Sequence, residues 1–148
     1  MPRRKAPLAV LMASPEEIEA QFYEALQTAD IERLMSLWAE DEAVACVHPG
    51  GERHEGLNAI RASFEALFAQ GALAVQPVQV RRLQTEGMAL HQVHEQVLVP
   101  AAEQLAWVAA SNVYLKTAQG WRLVLHHASP GQALELPSLA PSDASVLH

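Results

Sequence analysis

Apolar residues along this chain recur with two different periods, and the change from one to the other falls near Gly71. Before that point the spacing is three to four residues, which stacks side chains along one face of a helix. Ser14-Pro15-Glu16-Glu17 opens the first helix, with Ser as N-cap, Pro at the first helical position and Glu three residues after the cap. Ile18, Phe22, Leu26 and Ala29 form its apolar stripe. Asp30 caps a second, short helix whose apolar set is Ile31, Leu34, Met35 and Trp38. A third runs from about Leu57, carries Ile60, Phe64, Leu67 and Phe68 on one side, and stops at Gly71.

From Leu73 onward the pattern is that of strands. Segments 73–84, 88–99, 106–116 and 121–129 are rich in Val, Leu and aromatic residues, with Glu86-Gly87 and Gln119-Gly120 where hairpin turns belong. A shorter strand, 43–48, lies between the second and third helices. Helices first and strands after predict an α+β fold, a curved antiparallel sheet with three N-terminal helices packed on one face. Residues 1–13 and 131–148 read as loose tails around one domain spanning 14–130; the second tail holds two prolines and three serines.

Composition narrows the partners. A net charge of −7 over 148 residues argues against nucleic acid, whose phosphates are bound by clustered Lys and Arg. Half the residues are hydrophobic and 18% charged, the balance of a globular protein with one substantial core. No run approaches the ~20 apolar residues that cross a membrane. Arg3-Arg4-Lys5 and the apolar stretch to Ala13 resemble a short leader, yet Pro7 and the lack of Ala-x-Ala favour a flexible tail. The single cysteine, Cys46, excludes an internal disulfide and fits a reducing, cytoplasmic setting. Gly-rich phosphate loops, Gly-x-Ser-x-Gly, Cys-x-x-Cys and His-Glu-x-x-His are all missing, so no cofactor is expected.

The segments ALQTADIERL (25–34), WAEDEAV (38–44), CVHPG (46–50), NVYLK (112–116) and GWRLVLHHASP (120–130), with Gly56 and Ile60, resemble the nuclear transport factor 2-like superfamily. The closer likeness is to its SnoaL-like branch, which includes ketosteroid isomerase and polyketide cyclases. The resemblance spans roughly 15–130. It implies a cone-shaped half-barrel enclosing a pocket, and a homodimer through the outer face of the sheet. Ketosteroid isomerase uses an Asp base with an oxyanion hole of Tyr and protonated Asp. Its base, just before a Pro at the end of the first strand, falls on His48, before Pro49. Its Tyr falls on Phe22, which has no hydroxyl, while Tyr23 points about 100° away around the helix. Its second donor falls on Asn112, whose amide donates at any pH. Steroid isomerisation is therefore not expected.

Simple alternation of the last strand puts Trp121, Leu123, Leu125, His127 and Ser129 on one face, and Arg122, Val124, His126 and Ala128 on the other. In the resembled family the first set lines the cavity. His48, Asn112, His127 and Ser129 then converge on a pocket walled by Phe22, Leu34, Trp38, Tyr114 and Leu125. Two functions follow: a cofactor-free isomerase, dehydratase or cyclase on a small apolar carbonyl compound, or a module that binds such a ligand, or a second copy, without chemistry. In the enzyme, His48 or His127 is the general base, near its ordinary pKa, and Asn112 steadies the enolate oxygen. Structural roles compete at each position: His48 orienting the Pro49-Gly50-Gly51 turn, His127 a satisfied core residue, His54 and Glu55 solvated, Cys46 a buried apolar group. His91 and His94, three apart on a strand, face opposite ways. His48 and His127 with Glu95 or Glu55 form a metal-site alternative.

Overall fold

The computed structural model describes residues 13–99 and 104–133; the predicted tail residues 1–12 and 134–148 lie outside them. Helix α1 spans Pro15–Thr28 and α2 spans Ile31–Ser36; strands β1 (Ala45–Val47) and β2 (Arg53–Glu55) precede helix α3 (Leu57–Phe68). Four long strands follow, β3 (Val75–Gln84), β4 (Met88–Val99), β5 (Gln104–Thr117) and β6 (Gly120–Pro130).

The start of α1 is the reciprocal cap that its sequence predicts. The Ser14 hydroxyl accepts from the Glu17 amide, and the Glu17 carboxylate accepts from the Ser14 amide, which satisfies two otherwise orphaned donors. Asp30 caps α2 through the Arg33 amide at 3.1 Å. Past α3 the Gly71 amide returns to the Phe68 carbonyl at 2.9 Å, with Gly71 at φ 112°, a conformation that suits glycine.

All six strands form one curved, unclosed sheet in the order β2-β1-β6-β5-β4-β3. Neighbours are antiparallel except β1 and β6, which run parallel. The helices cover one face. There Phe22, Leu26, Leu34, Trp38, Ile60 and Phe64 pack with Ala89, Val93, Tyr114 and Leu123 of the sheet into a single core. Fully burying one such aromatic or aliphatic side chain stabilises the fold by roughly 1.5–3 kcal/mol.

Two features depart from the sequence reading. CVHPGGERHEG is a hairpin: β2 pairs back on β1 with Cys46 opposite His54, where only the first strand was expected. The larger departure is in β6. Leu123 pairs with Tyr114 but Leu125 with Val113, so Val124 is an extra residue, a β-bulge. An inserted residue inverts the alternation beyond it. Trp121 and Leu123 face the helices as expected; past the bulge His126 and Ala128 do so, and Leu125, His127 and Ser129 face out. The predicted inward facing of Leu125, His127 and Ser129, and the outward facing of His126, are corrected accordingly. A second bulge lies in β3 between Val78 and Arg81, where Gln79 takes φ 48°.

Candidate functional site

Strand register brings polar residues together inside the apolar core. Cys46 of β1, His126 of β6, Asn112 of β5 and His91 of β4 are successive cross-strand partners and make one inner row. Glu95, two positions beyond Val93 on β4, shares that face, because β4 alternates regularly against β5. Over this row lies α1, which presents Glu19 and Tyr23 one turn apart. Its buried residues, from Ala25 round to Tyr23, cover an arc of roughly 160° at 100° per residue. Phe22 and Tyr23 therefore both point inward, and the expectation that Tyr23 turns away is corrected.

The resulting network is closely connected. One oxygen of Glu19, Oε2, accepts from His91 Nδ1 at 2.7 Å, Tyr114 Oη at 2.8 Å and Asn112 Nδ2 at 3.4 Å. Tyr23 accepts from Asn112 Nδ2 at 3.1 Å and donates to Glu95 Oε2 at 2.7 Å. The oxygen of Asn112 lies 2.6 Å from His126 Nδ1. An amide oxygen only accepts, so the Nδ1 of His126 carries the proton and its Nε2 holds a lone pair. That lone pair lies 3.9 Å from Glu95 Oε2.

Electrostatics sets the two carboxyl groups apart. Burial pushes Glu19 up, but donors from His91 and Tyr114 outweigh it and hold the group below its usual range. Glu95 is also raised by burial; the Tyr23 hydroxyl offsets little, nearby Glu19 adds to the rise, and the result is a pKa of about 7. Burial, then His48 and His127, drive His126 down to about 3, so it is neutral. Both tyrosines rise well above 10, chiefly from burial. Two carboxyls with diverging affinities for protons, one poised near neutrality, mark acid–base sites in enzymes.

Among the described residues, the sealed polar side-chain atoms without a partner are Trp38 Nε1 and His91 Nε2. His126 Nε2 and the second oxygen of Glu95 also lack a hydrogen bond, yet are not sealed; their side chains keep 6% and 7% exposure.

His48 ends β1 beside this network, its Nε2 lying 3.9 Å from the Cys46 sulfur of the inner row. Its Nε2 lies 3.0 Å from Ser63 Oγ, whose own proton goes to the Ile60 carbonyl, so Nε2 is the donor. Its ring is 4.8 Å from Phe64 and 5.6 Å from His54, which the hairpin carries back beside it. Burial, then His54, lowers its pKa to about 4, not the near-neutral value expected of a base. Asn112, Phe22, Leu34, Trp38 and Tyr114 are buried inside as expected. His127 is on the opposite face from His48, so the sequence-based pair does not converge, nor does the metal set built on it. No cluster of three or more His, Cys, Asp or Glu suited to a metal occurs among the described residues. Four cavities among the described residues do not have Phe22, Trp38, His48 or Asn112 in their walls.

Sequence reasoning missed Glu19, Tyr23, His91 and His126 as site residues and considered Glu95 only as a metal ligand. Glu95 is the sole acidic residue in the four long strands and shares inward parity with Ala89 and Val93, which is a readable signal.

The family model described as SnoaL-like domain matches residues 16–133. A solved structure from Thiobacillus denitrificans, provisionally named a calcium/calmodulin-dependent protein kinase type II association domain, is 34% identical. The match covers 80% of this chain and 96% of that one, with a TM-score of 0.74. A second, provisionally named a dehydratase of the NTF2-like family from Streptomyces avermitilis, is 30% identical over 78% of this chain and 93% of that one, TM-score 0.67. A provisionally named ketosteroid isomerase from Shewanella frigidimarina shares the fold at 19% identity and TM-score 0.68, over 80% of this chain and 97% of that one. A search of the curated proteins gave no significant match.

Proposed function

This chain belongs to the SnoaL-like family, in the ketosteroid isomerase-like branch of the nuclear transport factor 2-like superfamily, and from that membership we propose that it performs cofactor-free proton transfer on a small apolar carbonyl compound held inside the cone. The observation that carries the reading is Glu95: a buried carboxyl with a pKa of about 7, hydrogen-bonded by Tyr23 and 3.9 Å from a bare imidazole nitrogen. A general acid–base group is most effective when its pKa lies near the working pH.

In this reading the Glu95 carboxylate takes a proton from the carbon next to the carbonyl. The electron pair moves into an enolate, and the protonated carboxyl then delivers that proton to a neighbouring carbon or to a departing hydroxyl. Isomerisation or dehydration results. Tyr23 and Asn112 fix the carboxyl, and His126 Nε2 accepts a hydrogen bond from a substrate hydroxyl. His48, held neutral and bonded to Ser63, shapes the entrance rather than acting as base. A substrate larger than water enters once Phe22 turns, its ring lying 5.0 Å from that of His126. The name of the 30%-identical Streptomyces relative supports this class of reaction.

The test is a cofactor-free screen of β-hydroxy and unsaturated carbonyl compounds against the native chain and Glu95→Gln. Turnover with an inflection near pH 7, abolished in the variant, supports the proposal. Turnover that survives Glu95→Gln removes Glu95 from the chemistry.

A second reading is supported by the sheet's uncovered face. Leu83, Met88, Leu98, Leu105 and Leu115 are exposed large apolar side chains, and four of them project from β4 and β5 or their edges. Such patches mark association surfaces, and the association-domain name of the Thiobacillus relative points the same way. Two copies packed through this face make a homodimer. Light scattering of the native chain beside Leu105→Glu tests it: a dimer reduced to a monomer is expected, and a native monomer ends the reading.

A further inference from the structure

The histidine and serine that the β6 bulge turns outward do not stand alone. On the outer face of the sheet a concavity of ≈ 480 Å³ has Arg81, Gln92, His94, Ser111, His127 and Ser129 in its wall. Register explains the grouping. Arg81, Gln92, Ser111 and His127 are successive cross-strand partners over β3 to β6, and His94 and Ser129 stand in the next outward row, joined through Ala109. The β3 bulge at Gln79, another wall residue, sets Arg81 opposite Gln92; without the extra residue a different side chain would complete the row.

Each of these six side chains can donate a hydrogen bond, and none is a carboxylate. The absence of negative charge is notable in a chain with 17 acidic residues, because β3 to β6 contain only Glu95, which points inward. Arg33, Arg53 and Arg61 each face a glutamate, whereas Arg81 has no ion-pair partner among the described residues. An unneutralised guanidinium beside uncharged donors is suited to an acceptor-rich anion.

We propose that, in a single copy of the chain, this concavity is a binding site for a small organic anion bearing a carboxylate or phosphate group, on the face opposite the Glu95 network; two copies packed through that face would close it, so the anion and a second copy compete for it. The guanidinium of Arg81 holds the anionic group. Three strand spacings, ~14 Å of backbone, separate Arg81 from His127, so a ligand of several atoms reaches from one to the other. Gln92 and Ser111 lie beneath it, and His94 and Ser129 meet its flank.

The experiment follows the ring-proton signals of His94 and His127 in the native chain during titration with inorganic phosphate and, separately, succinate. Sodium chloride at matched ionic strength is the control, and the mass of the particle is measured in the same samples. Saturable shifts of both histidines are expected with at least one of the two anions, and with neither in chloride. Arg81→Gln, an exposed position, should weaken binding at least about tenfold, the loss of a charge-assisted hydrogen bond; His127→Gln should weaken it less. Saturation by phosphate alone assigns a phosphate-bearing ligand, and by succinate alone a dicarboxylate. Shifts that chloride reproduces, that never saturate, or that persist unchanged in Arg81→Gln overturn the proposal.

Discussion

Replacing Glu95 by Gln should make this protein more stable at alkaline pH, although it removes the group on which the proposed chemistry turns. Gln is nearly isosteric, and its oxygen still accepts from Tyr23. What disappears is a buried carboxyl that must ionise as pH rises. In the folded chain its pKa stands at about 7 against the usual 4.5. Because the folded state holds this proton more tightly, native stability declines as pH climbs from 4.5 through 7 and stays reduced above. At 1.36 kcal/mol per tenfold change, the full effect is about 3 kcal/mol. For a chain of this length that corresponds to roughly 6–12 °C in Tm. His126 and His48 act in the opposite sense: both are held below 6.5, so each withdraws stability as pH falls beneath that value. They are common to both proteins and cancel in the difference. Urea denaturation of the native chain and Glu95→Gln at pH 5 and pH 8.5 is the assay. Near equality at pH 5 and a gain of ~2–3 kcal/mol at pH 8.5 are expected. A difference independent of pH, or a variant less stable at pH 8.5, would show that Glu95 is not held protonated by burial.

Other perturbations probe neighbouring links. Tyr23→Phe deletes the hydroxyl that joins Asn112 to Glu95 and should cost about 1–3 kcal/mol, with the carboxyl carbon of Glu95 titrating higher by NMR; an unmoved titration refutes the coupling. Cys46 is buried with its thiol pushed up to about 12, chiefly by burial, so iodoacetamide at pH 8 should leave the native chain unlabelled and label it in denaturant. Ser14→Ala removes the hydroxyl that accepts from the Glu17 amide in the α1 cap, while the residue-14 backbone amide keeps its bond to Glu17, and should lower stability by roughly 1 kcal/mol in thermal or urea melts.

Helix starts and the helix-to-strand order were legible because each rests on short-range chemistry: Ser14-Pro15-Glu16-Glu17 states its own cap, and Asp30 does likewise. The hairpin partner β2 was not, since Arg53-His54-Glu55 is short and polar, with no apolar alternation to announce it. The site was legible only in part. Asn112, Phe22 and Tyr114 face inward as alternation and helix spacing require, and His91 and His94 do occupy opposite faces. His127 misled because a bulge leaves no mark in the strand's composition: Val124 is as good a strand residue as its neighbours. Glu19 and Tyr23 were passed over because one apolar stripe, Ile18-Phe22-Leu26, already accounted for the helix. A helix lying between a sheet and two other helices buries a wider arc than one stripe.

The Val124 bulge decides which residues of β6 reach the core. In most strands a one-residue slip exchanges a buried side chain for an unlike one, and the misaligned state is penalised at once. Here a slip that erased the Val124 bulge, with Leu123 still opposite Tyr114, would set Leu125 against Asn112 and His127 against Ala110 and turn His126 out. The buried Asn112 oxygen would lose the imidazole that now lies 2.6 Å away, so this polar pair itself discriminates against the slipped alignment. Deleting Val124 would remove the extra residue while Leu125 keeps Val113 and His126 keeps Asn112 as partners, so the inner row should survive a strand one residue shorter.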